Sequence, residues 1–230
     1  MKLREKICHS VSLVGIDIMS RIFPDVFMQS TLTPSDRFLE YNFATRHLPS
    51  PPARVLDVGC SGSYWPLILC AAGYIVDGID PRAYPITNRL KFEGFNFIKQ
   101  DILNFNTPEK YDACTAISTI EHIGIQSRYG QGRNIDGDKK AIDKIADALR
   151  PGGLLILTVP FGIAQVQKDV RIYDSKGIEN LLSERFHIPH AECYAMDKDD
   201  NWFHDGYMDC ERIHADSGRY ALICVKAYKL

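Results

Sequence analysis

Short apolar runs alternate with amphipathic segments through the middle of the chain. The apolar runs are rich in β-branched residues and have the length of buried parallel strands; they lie at 54–58, 75–79, 95–98, 111–117 and 154–159. The segments between them have helical spacing, most clearly at 139–149, where Ile142, Ile145 and Leu149 share one face. Further helices are predicted at 64–72 and 84–91. This alternation predicts βαβ units and five parallel strands.

The two ends of the chain follow different patterns. Residues 1–50 have helical spacing in pieces, interrupted at Pro24 and Pro34, and predict a helical N-terminal region. After the fifth apolar run, one more helix is predicted around Ile178–Leu182. Two long strand-like runs then follow and are expected to pair antiparallel; they are His187–Met196 and Arg219–Tyr228.

The pattern as a whole predicts one α/β domain over residues 1–230. Its parts are the helical N-terminal region 1–50, a core at 53–160 and a last region at 161–230. The expected sheet is mostly parallel and seven-stranded, ends with an antiparallel strand and has helices on both faces. A chain of 230 residues is long enough to bury one sizeable core.

Composition narrows the class of protein. The sequence is 45% hydrophobic and 24% charged, with a formal net charge of -2, which gives no broad electrostatic reason to bind nucleic acid. No apolar run reaches the roughly eighteen residues of a membrane span, and polar residues interrupt the moderately apolar stretch 7–18, so no signal peptide is expected. The seven cysteines include no C-x-x-C pair, which favours a reduced, cytoplasmic protein.

The strongest chemical signal is the segment Val55–Ser63, which reads Val-Leu-Asp-Val-Gly-Cys-Ser-Gly-Ser. Gly59 and Gly62 have no Cβ, so the turn after the first strand can bend sharply and let a ligand approach the backbone. The helix that follows offers unpaired N–H groups. Asp80 ends the second strand, where α/β domains place a carboxylate for ribose hydroxyls. These residues predict a nucleotide-like ligand.

The same residues allow two other interpretations. In the first, the glycines only shape a tight connection and Asp80 caps the next helix. In the second, the domain is a nicotinamide-dependent dehydrogenase. That class carries G-x-G-x-x-G, whereas Gly59 and Gly62 stand as G-x-x-G, so the dinucleotide fingerprint is absent.

Over residues 53–160 the motifs resemble those of the S-adenosylmethionine-dependent methyltransferase superfamily. Val55–Gly62 is similar to its first motif, Asp80 to its acidic ribose position, and Gln100-Asp101-Ile102 to its adenine-contacting segment. Leu149–Gly153, with the strand after it, resembles its helix-turn-strand unit. The resemblance implies a Rossmann-like methyltransferase fold, a final antiparallel strand and S-adenosylmethionine as cofactor.

The resemblance also implies roles for individual residues. Asp57 and Gly59 would face the methionine moiety, and Asp80 the ribose. Asp101 and Ile102 would meet the adenine, although an Asp after a strand is often only a turn or helix cap. The candidate cofactor-binding residues are Asp57, Gly59, Cys60, Gly62, Asp80, Asp101, Ile102 and Ser118.

The segment after the fourth strand is the predicted place of catalytic groups. It reads Ser118-Thr119-Ile120-Glu121-His122, and His122 is the candidate base because a neutral imidazole can accept a proton near neutral pH. In the alternative, Glu121 and His122 only hydrogen-bond neighbouring loops or the cofactor. The pair is also similar to part of a metal-binding pattern of small-RNA methyltransferases, but Ser118 replaces its first carboxylate, so no metal is predicted. His187 and His190 are candidates to complete a cluster in space, although their spacing is not specific for a metal.

The polar, glycine-rich insertion at 123–138 is long enough to be a binding loop. Tyr129 is its candidate acceptor-contacting residue, and Arg171 and Tyr173 are expected either to reach the same pocket or to form an exposed pair. This region resembles a methyltransferase group often associated with polysaccharide biosynthesis, which implies a sugar or another small hydroxylated acceptor. The aromatic segment 202–207 either adds walls to the pocket or belongs to a hairpin.

The sequence thus predicts methyl transfer from S-adenosylmethionine to a hydroxyl of a small molecule or glycan, with His122, Glu121 and Tyr129 as catalytic candidates. Neither a membrane nor nucleic acid is an expected partner. One alternative is a non-catalytic module that keeps the fold and binds the cofactor for structure or regulation. A protein or RNA methyltransferase is another.

Overall fold

The computed structural model describes residues 36–84, 93–125, 134–199, 201–215 and 220–230, together with Ile7, Ser10, Val11, Val14, Gly15, Ile18, Arg21 and Ile22. The chain divides into two compact units, Met1–Ser35 and Asp36–Leu230. The described positions of the first unit are helical and exposed. The sheet and the helices packed on it belong to the second unit.

Ten strands are found among the described residues. Their bounds are β1 Arg54–Val58, β2 Ile75–Asp80, β3 Phe95–Lys99, β4 Tyr111–Ile117, β5 Leu149–Phe161, β6 Gln165–Val166, β7 Arg171–Ile172, β8 Phe186–Met196, β9 Trp202–Asp205 and β10 Ala221–Lys229. Eight of them form one sheet in the order β3-β2-β1-β4-β5-β10-β8-β9, and β6 pairs with β7 in a separate ribbon.

The helices of the second unit are α1 Asp36–His47, α2 Trp65–Ala71, α3 Gly137–Ala148, α4 Ser175–Leu182 and α5 Tyr207–Glu211. Single turns of 3-10 helix lie at Ile102–Asn104 and Ile120–His122. Helix α2 has a proline in its first turn, where the missing N–H has no intrahelical partner to lose. The helix predicted at 84–91 falls almost entirely on residues outside the described part.

The strand pairing confirms the predicted mostly parallel sheet. Strand β1 lies between β2 and β4 and runs parallel to both, while β3 and β5 continue the parallel part at either side. Strand β10 pairs antiparallel with β5 and with β8, as expected for the two long C-terminal runs. The sheet has eight described strands instead of seven because the aromatic segment at 202–205 folds back as β9 on β8.

Apolar side chains cover both faces of the sheet. Val55 and Leu56 alternate along β1 and belong to two different clusters of buried residues, as the pleat of a strand requires. One cluster includes Ile145 of α3, and the other includes Phe43 of α1 and Trp65 of α2. Phe43 and Ile145 are fully buried, and each such side chain contributes about 1.5–3 kcal/mol. Within the described residues, no helix is long and apolar enough to cross a bilayer.

Candidate active site

A cavity opens at the sheet edge where β1, β2 and β4 end. Its volume is about 260 Å³. Open α/β sheets bind their ligands at this edge, because the loops that follow parallel strands converge there. Seven of the eight candidate cofactor-binding residues line it: Asp57, Gly59, Gly62, Asp80, Asp101, Ile102 and Ser118.

The turn after β1 has the backbone conformation that its glycines were predicted to supply. Gly59 has φ +83° and Gly62 has φ +87°, values that residues with a Cβ rarely adopt. A Cβ on Gly59 would lie 2.3 Å from Oγ1 of Thr119, whereas a Cβ on Gly62 would meet no atom within 4 Å. The turn therefore has no room for a side chain at Gly59, where Thr119 packs against the backbone, but has room for one at Gly62.

Asp57 lies at the base of the cavity and is 3% exposed. Thr115 Oγ1 donates to its Oδ1 at 2.6 Å, and Trp65 Nε1 donates to Thr115 Oγ1 at 3.3 Å. Burial raises the pKa of Asp57 to about 7, although the hydrogen bond from Thr115 favours the ionised form. A cationic group bound beside Asp57 would lower this pKa and stabilise the carboxylate.

Asp80 also faces the cavity, as predicted, but its carboxylate is already engaged. Arg82 forms an ion pair with it at 2.9 Å, and the backbone N–H of Ser61 donates to Oδ2 at 3.0 Å. The carboxylate at the tip of β2 is thus connected both to the glycine turn and to a cation two residues further along the chain.

Asp101 caps a turn and also lines the cavity. Its side chain accepts from the backbone N–H of Leu103 at 3.0 Å and caps the 3-10 turn Ile102–Asn104. Asp101 and Ile102 nevertheless both line the cavity. Capping fixes the turn, so these two residues are held in place on the wall where the adenine was expected.

Cys60 is the one candidate cofactor-binding residue that does not line the cavity. Its side chain is buried, and its Sγ lies 2.9 Å from the position of a Cβ on Gly78. Burial raises the pKa of the Cys60 thiol far above its usual range. The thiol therefore packs in the interior between β1 and β2.

Two charged residues of α1 belong to the site and were not predicted. Arg37 lines the cavity, and its Nη1 donates to Oε2 of Glu40 at 2.8 Å. Glu40 is fully buried and accepts from Ser118 Oγ at 2.5 Å and from Thr158 Oγ1 at 2.6 Å. Burial raises the pKa of Glu40, and the charge of Arg37 opposes the rise. Spacing along the chain carries no signal for Glu40, because its partners Ser118 and Thr158 lie 78 and 118 residues away.

Ser118 is positioned by these contacts. It follows β4 with φ 42°, an uncommon conformation for a residue other than glycine. Its backbone N–H donates to Thr158, and its hydroxyl is turned toward Glu40. Ser118 lines the cavity, and its hydroxyl joins the end of β4 to α1.

His122 lines the cavity, and Glu121 lies behind it, 2% exposed. Nδ1 of His122 lies 2.5 Å from the carbonyl oxygen of Asp169, so Nδ1 donates and Nε2 is the accepting nitrogen of the neutral ring. This Nε2 is 3.6 Å from Oε1 of Glu121, and Oε2 of Glu121 is buried without a hydrogen-bond partner among the described residues. Burial, reinforced by the charge of Glu40, raises the pKa of Glu121 to about 8.

The insertion after His122 is described only at its ends. Tyr129 lies outside the described residues, so its predicted contact with the acceptor stays a prediction. Arg171 does not reach the cavity, nor is it exposed: its guanidinium donates to the carbonyls of Ile123 at 2.6 Å and Ile135 at 3.2 Å. Arg171 therefore ties together the two ends of the insertion.

Tyr173 and His190 also differ from their sequence interpretations. Tyr173 is buried, and its hydroxyl donates to Asp138 Oδ2 at 2.9 Å. His190 does not join His122; its Nε2 lies 3.0 Å from Oε1 of Glu192, near His47. Both oxygens of Glu192 also accept from Arg46, so this group is an ion-pair network between α1 and β8.

Comparison with known proteins identifies the family of this chain. A family model described as a methyltransferase domain matches residues 28–216. The chain belongs to this methyltransferase family. Membership confirms the predicted enzyme class and its use of S-adenosylmethionine. A comparison with curated proteins gives no match.

Solved structures show the same fold as this methyltransferase. One is the N-methyltransferase NodS from Bradyrhizobium japonicum with S-adenosylhomocysteine, at 16% identity and TM-score 0.59, covering 89% of this chain and 92% of that chain. Another is the 1,6-didemethyltoxoflavin-N1-methyltransferase from Burkholderia thailandensis, at 16% identity and TM-score 0.61, covering 96% and 89%. The [4+2]-cyclase SpnF is also similar, at 19% identity and TM-score 0.59, covering 84% and 80%.

Proposed function

We propose that this methyltransferase transfers the methyl group of S-adenosylmethionine to a hydroxyl group of a small molecule or glycan. The observation that carries the proposal is the arrangement of His122, which stands on the cavity wall with Nδ1 fixed by a backbone carbonyl and Nε2 next to a buried carboxylate. A hydroxyl needs a proton acceptor as it is methylated, and this imidazole is placed to be one.

The cavity residues fit the cofactor. The open backbone at Gly62 admits a ligand, Asp57 suits the ammonium of the methionine moiety, and the wall formed by Asp101 and Ile102 suits the adenine. Arg37 supplies a positive charge for the carboxylate of the same moiety. When bound, the cofactor supplies an electrophilic methyl group on a sulfonium.

The protein's own contribution is to orient the acceptor and to remove its proton. A bond forms between the acceptor oxygen and the methyl carbon as the bond from that carbon to sulfur breaks, and the hydroxyl proton passes to Nε2 of His122. The charge of Glu121, 3.6 Å away, stabilises the resulting imidazolium when Glu121 is ionised. The contact of Nδ1 with Asp169 preserves the orientation of the ring throughout.

The similar solved structures support a small acceptor, and the open cavity supports an enzyme. The cavity reaches His122, which favours an enzyme over a module with a filled cleft. One similar structure holds 1,6-didemethyltoxoflavin together with S-adenosylhomocysteine. The preference for a hydroxyl rests on the resemblance of residues 118–138 to methyltransferases associated with polysaccharide biosynthesis.

A screen of metabolite and glycan pools with a labelled methyl donor tests the proposal. Once an acceptor is found, His122→Ala should lower kcat by about 10²–10⁴-fold and leave the affinity for S-adenosylhomocysteine unchanged. His187→Ala, which changes an exposed histidine of β8, is the matched control and should retain wild-type kcat. Full turnover by His122→Ala at saturating acceptor would remove this residue from the mechanism.

A further inference from the structure

The carboxylate of Asp80 has its hydrogen-bonding capacity filled where the motifs place the ribose. Oδ1 accepts from the backbone N–H of Arg82 at 2.8 Å and from its Nε at 3.0 Å. Oδ2 accepts from Nη2 of Arg82 at 2.9 Å and from the backbone N–H of Ser61 at 3.0 Å. Since a carboxylate offers about four lone-pair positions, a ribose diol can bind only by replacing a donor that is already present.

The guanidinium is the donor that can leave. Both backbone donors are fixed, because Ser61 belongs to the glycine turn and Arg82 lies only two residues past the end of β2. The side chain of Arg82 is 40% exposed, whereas that of Asp80 is 1% exposed, so the arginine has a path to solvent. Its two N–H groups contact the two carboxylate oxygens as a fork, and two ribose hydroxyls would offer donors to the same oxygens.

We propose that the side chain of Arg82 occupies the ribose subsite as an intramolecular substitute for the ribose diol. The cofactor must displace this side chain in order to bind, and the displacement lowers the affinity of the protein for the cofactor. This inference rests on the proposed binding of S-adenosylmethionine in this cavity. Before the cofactor arrives, Arg82 keeps the buried carboxylate paired, since an unpaired buried carboxylate is strongly destabilising. Nη2 of Arg82 also donates to the carbonyl of Ser61 at 2.9 Å, so displacement releases a contact to the glycine turn as well.

Calorimetric titration with S-adenosylhomocysteine tests the proposal without turnover. Arg82→Ala is expected to bind about fivefold more tightly than the wild type, the factor that corresponds to loss of a partly exposed ion pair. Asp80→Asn should weaken binding, and adding Arg82→Ala to it should change nothing further, because the two residues act through one contact. The matched control is Arg150→Ala, which breaks the exposed ion pair with Asp112 and should leave the affinity unchanged.

Weaker or unchanged binding by Arg82→Ala would overturn the proposal, and weaker binding would show that the arginine contacts the cofactor directly. The absence of any binding by the wild type up to millimolar ligand is a different result, in which the cofactor assignment itself fails. Thermal unfolding without ligand gives a second measurement: Arg82→Ala should have a lower Tm than the wild type and a larger rise in Tm on addition of ligand. If the alanine variant does not fold, Arg82→Gln tests the same expectation.

Discussion

Gly59 and Gly62 allow backbone strain and steric overlap in the glycine turn to be measured separately. Both have positive φ, at +83° and +87°, so alanine at either position carries a backbone penalty of about 1–2 kcal/mol. At Gly59 the added Cβ also lies 2.3–2.9 Å from three atoms of the Thr119 side chain. That overlap adds about 1–3 kcal/mol, whereas Gly62→Ala meets no atom.

Gly59→Ala should therefore lower the free energy of unfolding by about 2–5 kcal/mol and Gly62→Ala by about 1–2 kcal/mol. Urea unfolding, with the slope m unchanged between variants, measures both. Titration with S-adenosylhomocysteine should rank the variants differently, because the open space at Gly62 is where a ligand approaches, so Gly62→Ala should lose affinity out of proportion to its small loss of stability. Equal losses of stability in the two variants would refute the reasoning from Thr119.

Two further predictions concern buried polar groups. The pKa of Glu121 is raised to about 8 in the folded protein, whereas the unfolded chain releases this proton near pH 4.5. The contribution of Glu121 to stability is therefore present below about pH 4.5 and is lost as the pH rises through about 8. Glu121→Gln should flatten this decline in urea titrations between pH 4 and 9, and an unchanged pH profile would contradict the prediction. Tyr173→Phe removes the 2.9 Å hydrogen bond from the tyrosine hydroxyl to Asp138. It should lower the free energy of unfolding, measured in urea, by about 1–3 kcal/mol. Tyr228→Phe, at an exposed position, is the control and should change the free energy of unfolding little.

The first strands and the glycine turn could be predicted from sequence because each depends on residues that are close together along the chain. Strand β1, the glycine turn and Asp80 at the tip of β2 follow one another along a single βαβ unit, and the parallel register of the sheet then brings Asp101 to the same edge. Cys60 shows the limit of this reasoning. It lies between two glycines that line the cavity, but only the packing of β1 against β2 determines that its thiol points inward.

The sequence left the eighth strand undecided for a related reason. Residues 202–205 have the aromatic composition of a pocket wall and also of a strand, and their sequence does not choose between the two. Pairing with β8 decides it, because Cys193 and Asp205 come into register only when the chain folds back between β8 and β9. The turn is stabilised locally, since Asp197 Oδ1 accepts from the backbone N–H groups of Asp199 and Asn201 at 2.9 Å.

The charged part of the site could not be read from spacing, because it depends on contacts between distant segments. Glu40 meets Ser118 and Thr158, which follow it by 78 and 118 residues, and these contacts turn the hydroxyl of Ser118 toward Glu40. The motifs named Ser118 as a candidate for the cofactor but not its contact with Glu40, since motifs compare residues along the chain and carry no information about α1. A buried carboxylate needs donors, and Glu40 obtains them from the ends of two strands and from Arg37. The site is therefore completed by the helix that precedes the motif region, and the same helix brings Arg37 to the cavity wall.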